Sequence, residues 1–104
     1  MSLVGTWYIY KMQMWDKDYF NMEVQAYIKV GKNLLGNFQF GLVEGCIDGE
    51  MEGKKRLRFS FDGADENDPC SGRGYIELVD KDTVKGKFYI HQGDNSEFFA
   101  RRAK

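Results

Sequence analysis

A chain of 104 residues with a formal net charge of −1 is one domain, and it carries no global positive field to hold nucleic acid or an acidic membrane. At 42% hydrophobic, with eight Phe and two Trp, it can bury a core without covalent staples, and no apolar run approaches the length of a membrane span. Cys46 and Cys70 are too few for a disulfide framework and no charged-then-apolar leader is visible, so the expectation is a reducing cytoplasm with free thiols, unless a leader has been trimmed away.

The first predicted strand is Val4–Met12, opening on Gly5-Thr6-Trp7. The second, Tyr19–Val30, shows the governing pattern most plainly. Phe20, Met22, Val24, Ala26, Ile28 and Val30 alternate with Asn21, Glu23, Gln25, Tyr27 and Lys29, an apolar face against a polar one at period two. Six further strands follow: Leu34–Leu42, Cys46–Glu52, Arg56–Phe61, Arg73–Val79, Thr83–His91 and Glu97–Arg102. Carried along the chain, the parity turns Phe38, Phe40, Phe59, Phe61, Phe88 and Phe98 inward, with Leu34 and Met51 among the aliphatics beside them. Tyr8, Tyr10, Tyr19, Tyr27, Tyr75 and Tyr89 fall on the other face. Phenylalanine has no polar atom to satisfy and can fill a core, whereas tyrosine keeps a hydroxyl for water or a partner.

Short connections suit antiparallel hairpins, and closure removes the exposed edges such a meander would leave. The predicted fold is therefore all-β, an eight-stranded antiparallel up-and-down barrel over residues 4–102. One hairpin can be registered from its own residues. A three-residue loop Asp80-Lys81-Asp82, with Asp82 left-handed, sets Glu77 opposite Lys85 outside, and Gly74 opposite Phe88 and Ile76 opposite Gly86 inside. Inward Gly36, Gly49, Gly74 and Gly86 let the strands coil tightly.

The meander also sorts the loops into two rims. Loops 13–18, 43–45, 62–72 and 92–96 share one, with Asp16, Asp18, Glu44, Asp62, Asp65, Glu66, Asp68 and Asp94. The other carries Lys32, Lys54, Lys55, Arg56, Lys81, Arg101, Arg102 and Lys104. A nearly neutral chain is thus expected to be acidic at one end and basic at the other.

Gly5-Thr6-Trp7 at the start of the first strand and Arg101-Arg102 at the end of the last resemble the calycins: lipocalins, fatty-acid-binding proteins and avidins. The resemblance implies a lipocalin- or streptavidin-like barrel in which Arg102 packs on Trp7 at the closed end, a cation–π contact. It is a likeness of architecture over nearly the whole chain. The chain has no helix before the last strand as in lipocalins, no helical pair after the first as in fatty-acid-binding proteins, and no inward polar residues to grip biotin as in avidins. No ligand is carried over.

Six inward phenylalanines favour a filled interior. A pocket, if one exists, is apolar, opens at the acidic rim and suits a hydrophobic molecule with a cationic or hydroxyl head. The candidate ligand-binding set is Trp15, Phe40, Phe61, Asp62, Asp65, Asp68, Arg73, His91 and Asp94. Trp15, in a loop of charged neighbours, either folds over the barrel mouth or meets a partner. Loop 62–72 has oxygens for a hard cation, but its spacing matches no EF-hand and it reads as a solvated turn, so no metal and no cofactor is expected. His91 is the only histidine. With no nucleophile placed beside it by the register, no catalytic residue is assigned. Arg73, Tyr75, Lys85, Lys87 and Tyr89 form a small basic-aromatic patch of the kind that binds single-stranded nucleic acid, but with Glu77 in its midst and no net positive charge that reading ranks below a homodimer contact through the outward tyrosines. The expected function is a non-enzymatic binding module for a small amphipathic or cationic ligand at the acidic rim. The alternative is a protein-interaction or homo-oligomeric barrel with a filled core that meets a basic protein. Neither nucleic acid nor a membrane is an expected partner.

Overall fold

A computed structural model describes residues 2–103 as a closed barrel. Its elements in chain order are β1 (Gly5–Met12), α1 (Lys17–Phe20), β2 (Tyr27–Val30), β3 (Leu35–Phe40), β4 (Val43–Glu52), β5 (Arg56–Asp65), β6 (Asp68–Asp80), β7 (Thr83–Ile90) and β8 (Asn95–Arg102). Each strand pairs antiparallel with its sequence neighbours, and β8 pairs with β1, from Trp7 opposite Arg102 to Met12 opposite Phe98. The all-β up-and-down barrel expected from the alternation is the fold observed.

The inner parity holds for the rings. Phe38, Phe40, Phe59, Phe61, Phe88 and Phe98 are all at most 4% exposed. Phe88 is their hub, with ring centroids 4.8 Å from Phe38, 5.0 Å from Phe40, 5.9 Å from Phe59 and 4.8 Å from Phe98. Space for so many rings in a narrow barrel comes from the inward glycines. Gly49, Phe59, Gly74 and Phe88 lie in one cross-strand row, ring alternating with no side chain. A Cβ on Gly86 would meet the ring of Phe98 and the Tyr75 carbonyl. Ring-over-glycine packing of this kind both fills the lumen and lets the strands coil. Two inward expectations differ at strand ends. Met51, near the end of β4, is 39% exposed, and Leu34 is half-buried at φ 66, ahead of β3 rather than in it.

The closed end is sealed by Arg102. Its guanidinium lies 4.2 Å from the Trp7 ring and donates to the carbonyls of Ser2, Val4 and Lys81, while Trp7 Nε1 donates to Leu3.

Three segments depart from the predicted strands, each for a local reason. Residues 19–26 are not strand. Asp16 caps α1 by accepting from the Tyr19 amide at 3.0 Å, and the Asn21 side chain accepts from the Ala26 amide at 2.9 Å. These side-chain bonds hold a helical turn and a closed loop where a β ladder would otherwise run. Met22 and Val24, expected inside, are 54% and 44% exposed, and Tyr19 belongs to the cap instead of the outer wall.

The expected loop 62–72 is a hairpin. β5 and β6 stay paired from Arg56–Glu77 to Asp65–Asp68 around Glu66-Asn67, whose φ values of 49° and 77° are those of a type I′ turn. Pro69 fits because Ala64–Pro69 is a non-hydrogen-bonded pair, and β6 has no second partner there. Likewise Gly41-Leu42 joins Phe40 to Val43 directly, so loop 43–45 is part of β4.

In the third segment, the predicted pairs of the β6–β7 hairpin are all present, but the extra residue is a bulge at Val79. Asp80 pairs with Thr83, and Asp82 is not left-handed.

Candidate functional site

The mouth of the barrel at the acidic rim is covered. Trp15 lies 5.9 Å from Tyr19 and 5.1 Å from Phe40, Phe20 is 1% exposed, and the Gly41 amide donates to the Phe20 carbonyl. Burial pushes the Tyr19 phenol up, Asp65 and Glu66 add to that, and a backbone hydrogen bond at Leu42 opposes it. The cap therefore closes on the rings instead of framing a pocket. On the same β1–β2 connection Met14, Met22 and Val24 are exposed, interspersed with exposed Asp16, Asp18 and Glu23.

The predicted site residues divide into three places. Trp15 and Phe40 meet at the cap, with Phe61 deeper, its ring 5.2 Å from Phe38. Asp65 and Asp68 flank the β5–β6 turn, whose Glu66 amide donates to the Leu42 carbonyl, and Asp94 stands exposed in the β7–β8 connection. Asp62, Arg73 and His91 face outward on or beside the barrel wall, away from the mouth. Glu44, also assigned to the rim, is on that wall too, because β4 begins at Val43. His91 is exposed, and its amide donates to the Ser71 carbonyl at 2.7 Å, so a serine does lie beside it and Asp62 lies across from that serine. Among the described residues no side-chain hydrogen bond joins them, so the geometry shows no nucleophile–base pair. Cys46 faces out, and Cys70, on the inner side of β6, is partly buried; both are free thiols. Burial, then Asp65 and Asp62, push the Cys70 thiol up.

The two ends differ in compensation as well as sign. At the basic end Arg102 is paired with Asp82 at 3.7 Å, and Arg56 with Glu77 at 3.0 Å and Glu52 at 4.0 Å, so that end is less basic than its residue list suggests. Lys104, also assigned there, lies outside the described residues. At the acidic rim Asp16, Asp18, Asp65, Glu66, Asp68 and Asp94 have no ion-pair partner among the described residues.

The outer wall of β4–β7 carries a feature the strand-by-strand reading missed. An open groove of about 650 Å³ runs over it. Register sets its rows. Glu52, Arg56, Glu77 and Lys85 form one, closed by the pairs at Arg56 and by Lys85–Glu77 at 3.6 Å. Glu50, Arg58, Tyr75 and Lys87 form the next, with Arg58 3.6 Å from Glu50 and 3.1 Å from Glu52. The third is Asp48, Ser60, Arg73 and Tyr89. Arg56 lies over Tyr75 at 4.2 Å, and both Arg73 and Lys87 lie over Tyr89, at 4.4 and 4.8 Å. The patch legible in the sequence holds Arg73, Tyr75, Lys85, Lys87 and Tyr89; the registers add Asp48, Arg58 and Ser60 to it.

Fold and surface together define the class: a closed, eight-stranded, up-and-down all-β barrel with a ring-filled lumen and a differentiated exterior. Compared with known proteins, the chain matches no family model, no curated protein and no solved structure.

Proposed function

We propose that the protein is a non-enzymatic interaction barrel whose capped acidic rim docks a basic, amphipathic segment of another protein. One observation carries this: a rim of carboxylates that form no ion pair among the described residues adjoins a cap that exposes Met14, Met22 and Val24. Carboxylates attract a cationic partner over about 10 Å at modest salt, and the apolar side chains offer area to its other face. Methionine repacks easily around a partner's side chains, which suits such a surface. A small amphipathic ligand at the same rim, the other expectation from the sequence, has less support. Trp15 and Phe20 occupy the mouth it would enter, and rings fill the space behind. Gly5-Thr6-Trp7 and the stacking of Arg102 on Trp7 support grouping the barrel with the calycins in architecture, without any of their ligands.

The test is a titration of the intact protein with a basic amphipathic peptide and its charge-reversed counterpart. Only the basic peptide should bind. Its affinity should fall as salt rises, as Asp65, Glu66 and Asp68 are neutralised together, and separately when Met14 and Met22 become serine. Binding indifferent to salt and to both sets of substitutions would show the rim is not the docking surface.

A further inference from the structure

The groove on the outer wall is independent of the rim and has its own charge pattern. Most of the cations around it are neutralised: Arg56 by Glu77 and Glu52, Arg58 by Glu50 and Glu52, Lys85 by Glu77. Arg73 and Lys87 are not. Both lie over the ring of Tyr89, and among the described residues neither has a carboxylate within 4.0 Å. Arg73 lines the groove and Lys87 stands beside its Tyr89 edge, so an anion bound there contacts Arg73 and is attracted by Lys87 as well. On the opposite wall Asp48 has no ion-pair partner among the described residues. Between them is Ser60, paired across β5 with Asp48 on one side and Arg73 on the other. Its small side chain leaves the floor low there, with the backbone of Gly49 and Gly74 beside it. The walls stand two strand spacings apart, about 10 Å.

We propose that this groove binds a small, flat organic anion. Arg73 holds its phosphate or carboxylate with the Lys87 charge nearby, its body lies on the floor over Ser60, and a hydrogen-bond donor at its far end meets Asp48. A guanidinium already fixed over a ring loses little freedom on binding an oxyanion, and its fork suits phosphate and carboxylate alike. An anion without a donor opposite it would meet only repulsion from Asp48, which makes the site selective for bipolar molecules.

Two probes separate the sources of the anion: adenosine monophosphate for phosphate and 4-aminobenzoate for carboxylate. Each is titrated into isotope-labelled intact protein and followed through backbone amide shifts, with adenosine, inorganic phosphate and benzoate as truncated controls. At least one probe should saturate shifts centred on Ser60, Arg73 and Tyr89. That probe should bind more weakly as salt rises, and about tenfold or more weakly in Arg73→Gln. Lys87→Gln should weaken it in the same sense. Asp48→Asn should weaken 4-aminobenzoate but not benzoate. Binding by neither probe at millimolar concentration, inorganic phosphate matching the nucleotide in affinity, or shifts centred elsewhere overturns the proposal. Arg73→Gln should keep its affinity for the basic peptide, so failure here is distinguishable from failure at the rim.

Discussion

Glu77 links two strands on the outer wall, accepting from Arg56 Nε at 3.0 Å and pairing with Lys85 at 3.6 Å. The hydrogen bond from Arg56 is the main cause holding the Glu77 carboxyl below its ordinary range, and the same bond raises Arg56. A carboxyl whose folded pKa is depressed stabilises the fold above its unfolded pKa and loses that contribution as pH falls through the folded value. Both partners are partly solvated, so the contribution is about 0.2–1 kcal/mol. Glu77→Gln should therefore lower stability by that amount at pH 7 and by nothing at pH 2, measured by urea denaturation at both. An equal loss at the two pH values would assign the effect to packing. The cross-strand partnership of Glu77 and Lys85 was legible in the sequence, because one hairpin register fixes it. The groove was not, because Asp48, Ser60, Arg73 and Tyr89 come from four strands and only the summed registers align them.

Elements were legible where burial and alternation agree. β7 and β8 carry buried and outward residues in turn, and their limits fall within two residues of those predicted. The alternation in residues 20–26 has the same form without the same cause. Asp16 and Asn21 satisfy backbone donors locally, so Met22 and Val24 alternate but are not buried. The β5–β6 hairpin was hidden by composition: Asp, Glu, Asn and Pro read as a solvated loop, and the turn itself is Glu-Asn instead of a glycine-bearing pair. Glu66 at φ 49 pays a conformational cost there that asparagine does not. Replacing Glu66-Asn67 with Asn-Gly should raise stability by about 0.5–1 kcal/mol, seen as a higher Tm without change in the spectrum of the fold. No gain, or a loss, would mean the Glu66 side chain contributes something the turn geometry does not show.

The whole molecule depends on matching rings to glycines. Phe88 packs with five other phenylalanines, and Gly45, Gly72, Gly74 and Gly86 make room for Phe38, Phe61, Phe59 and Phe98 among them. Phe88→Ala should cost about 3–5 kcal/mol through lost contacts and a cavity. Gly86→Ala, a gain of one carbon, should cost about 1–3 kcal/mol, because the Phe98 ring and the Tyr75 carbonyl occupy the space. Equilibrium unfolding of the two variants checks both. A tolerated Gly86→Ala would show the wall able to shift outward and the interior less tightly set than its geometry indicates. The filled interior was legible from parity, since six rings had nowhere else to go. The rim assignment followed from strand order, but the pairing that quiets the basic end needed coordinates, because Asp82 in the β6–β7 turn meets Arg102 only at the far end of β8.

The pairing of β1 with β8 brings the two tails of the described chain side by side, with the Ala103 amide donating to the Thr6 carbonyl and Arg102 reaching back to the Ser2 carbonyl. A short bridge between the tails, with a new opening cut at the exposed turn around Gly53, would leave every ladder intact and produce a circular permutant. Cargo fused at either tail would emerge from the pole opposite the cap, leaving the acidic rim unobstructed.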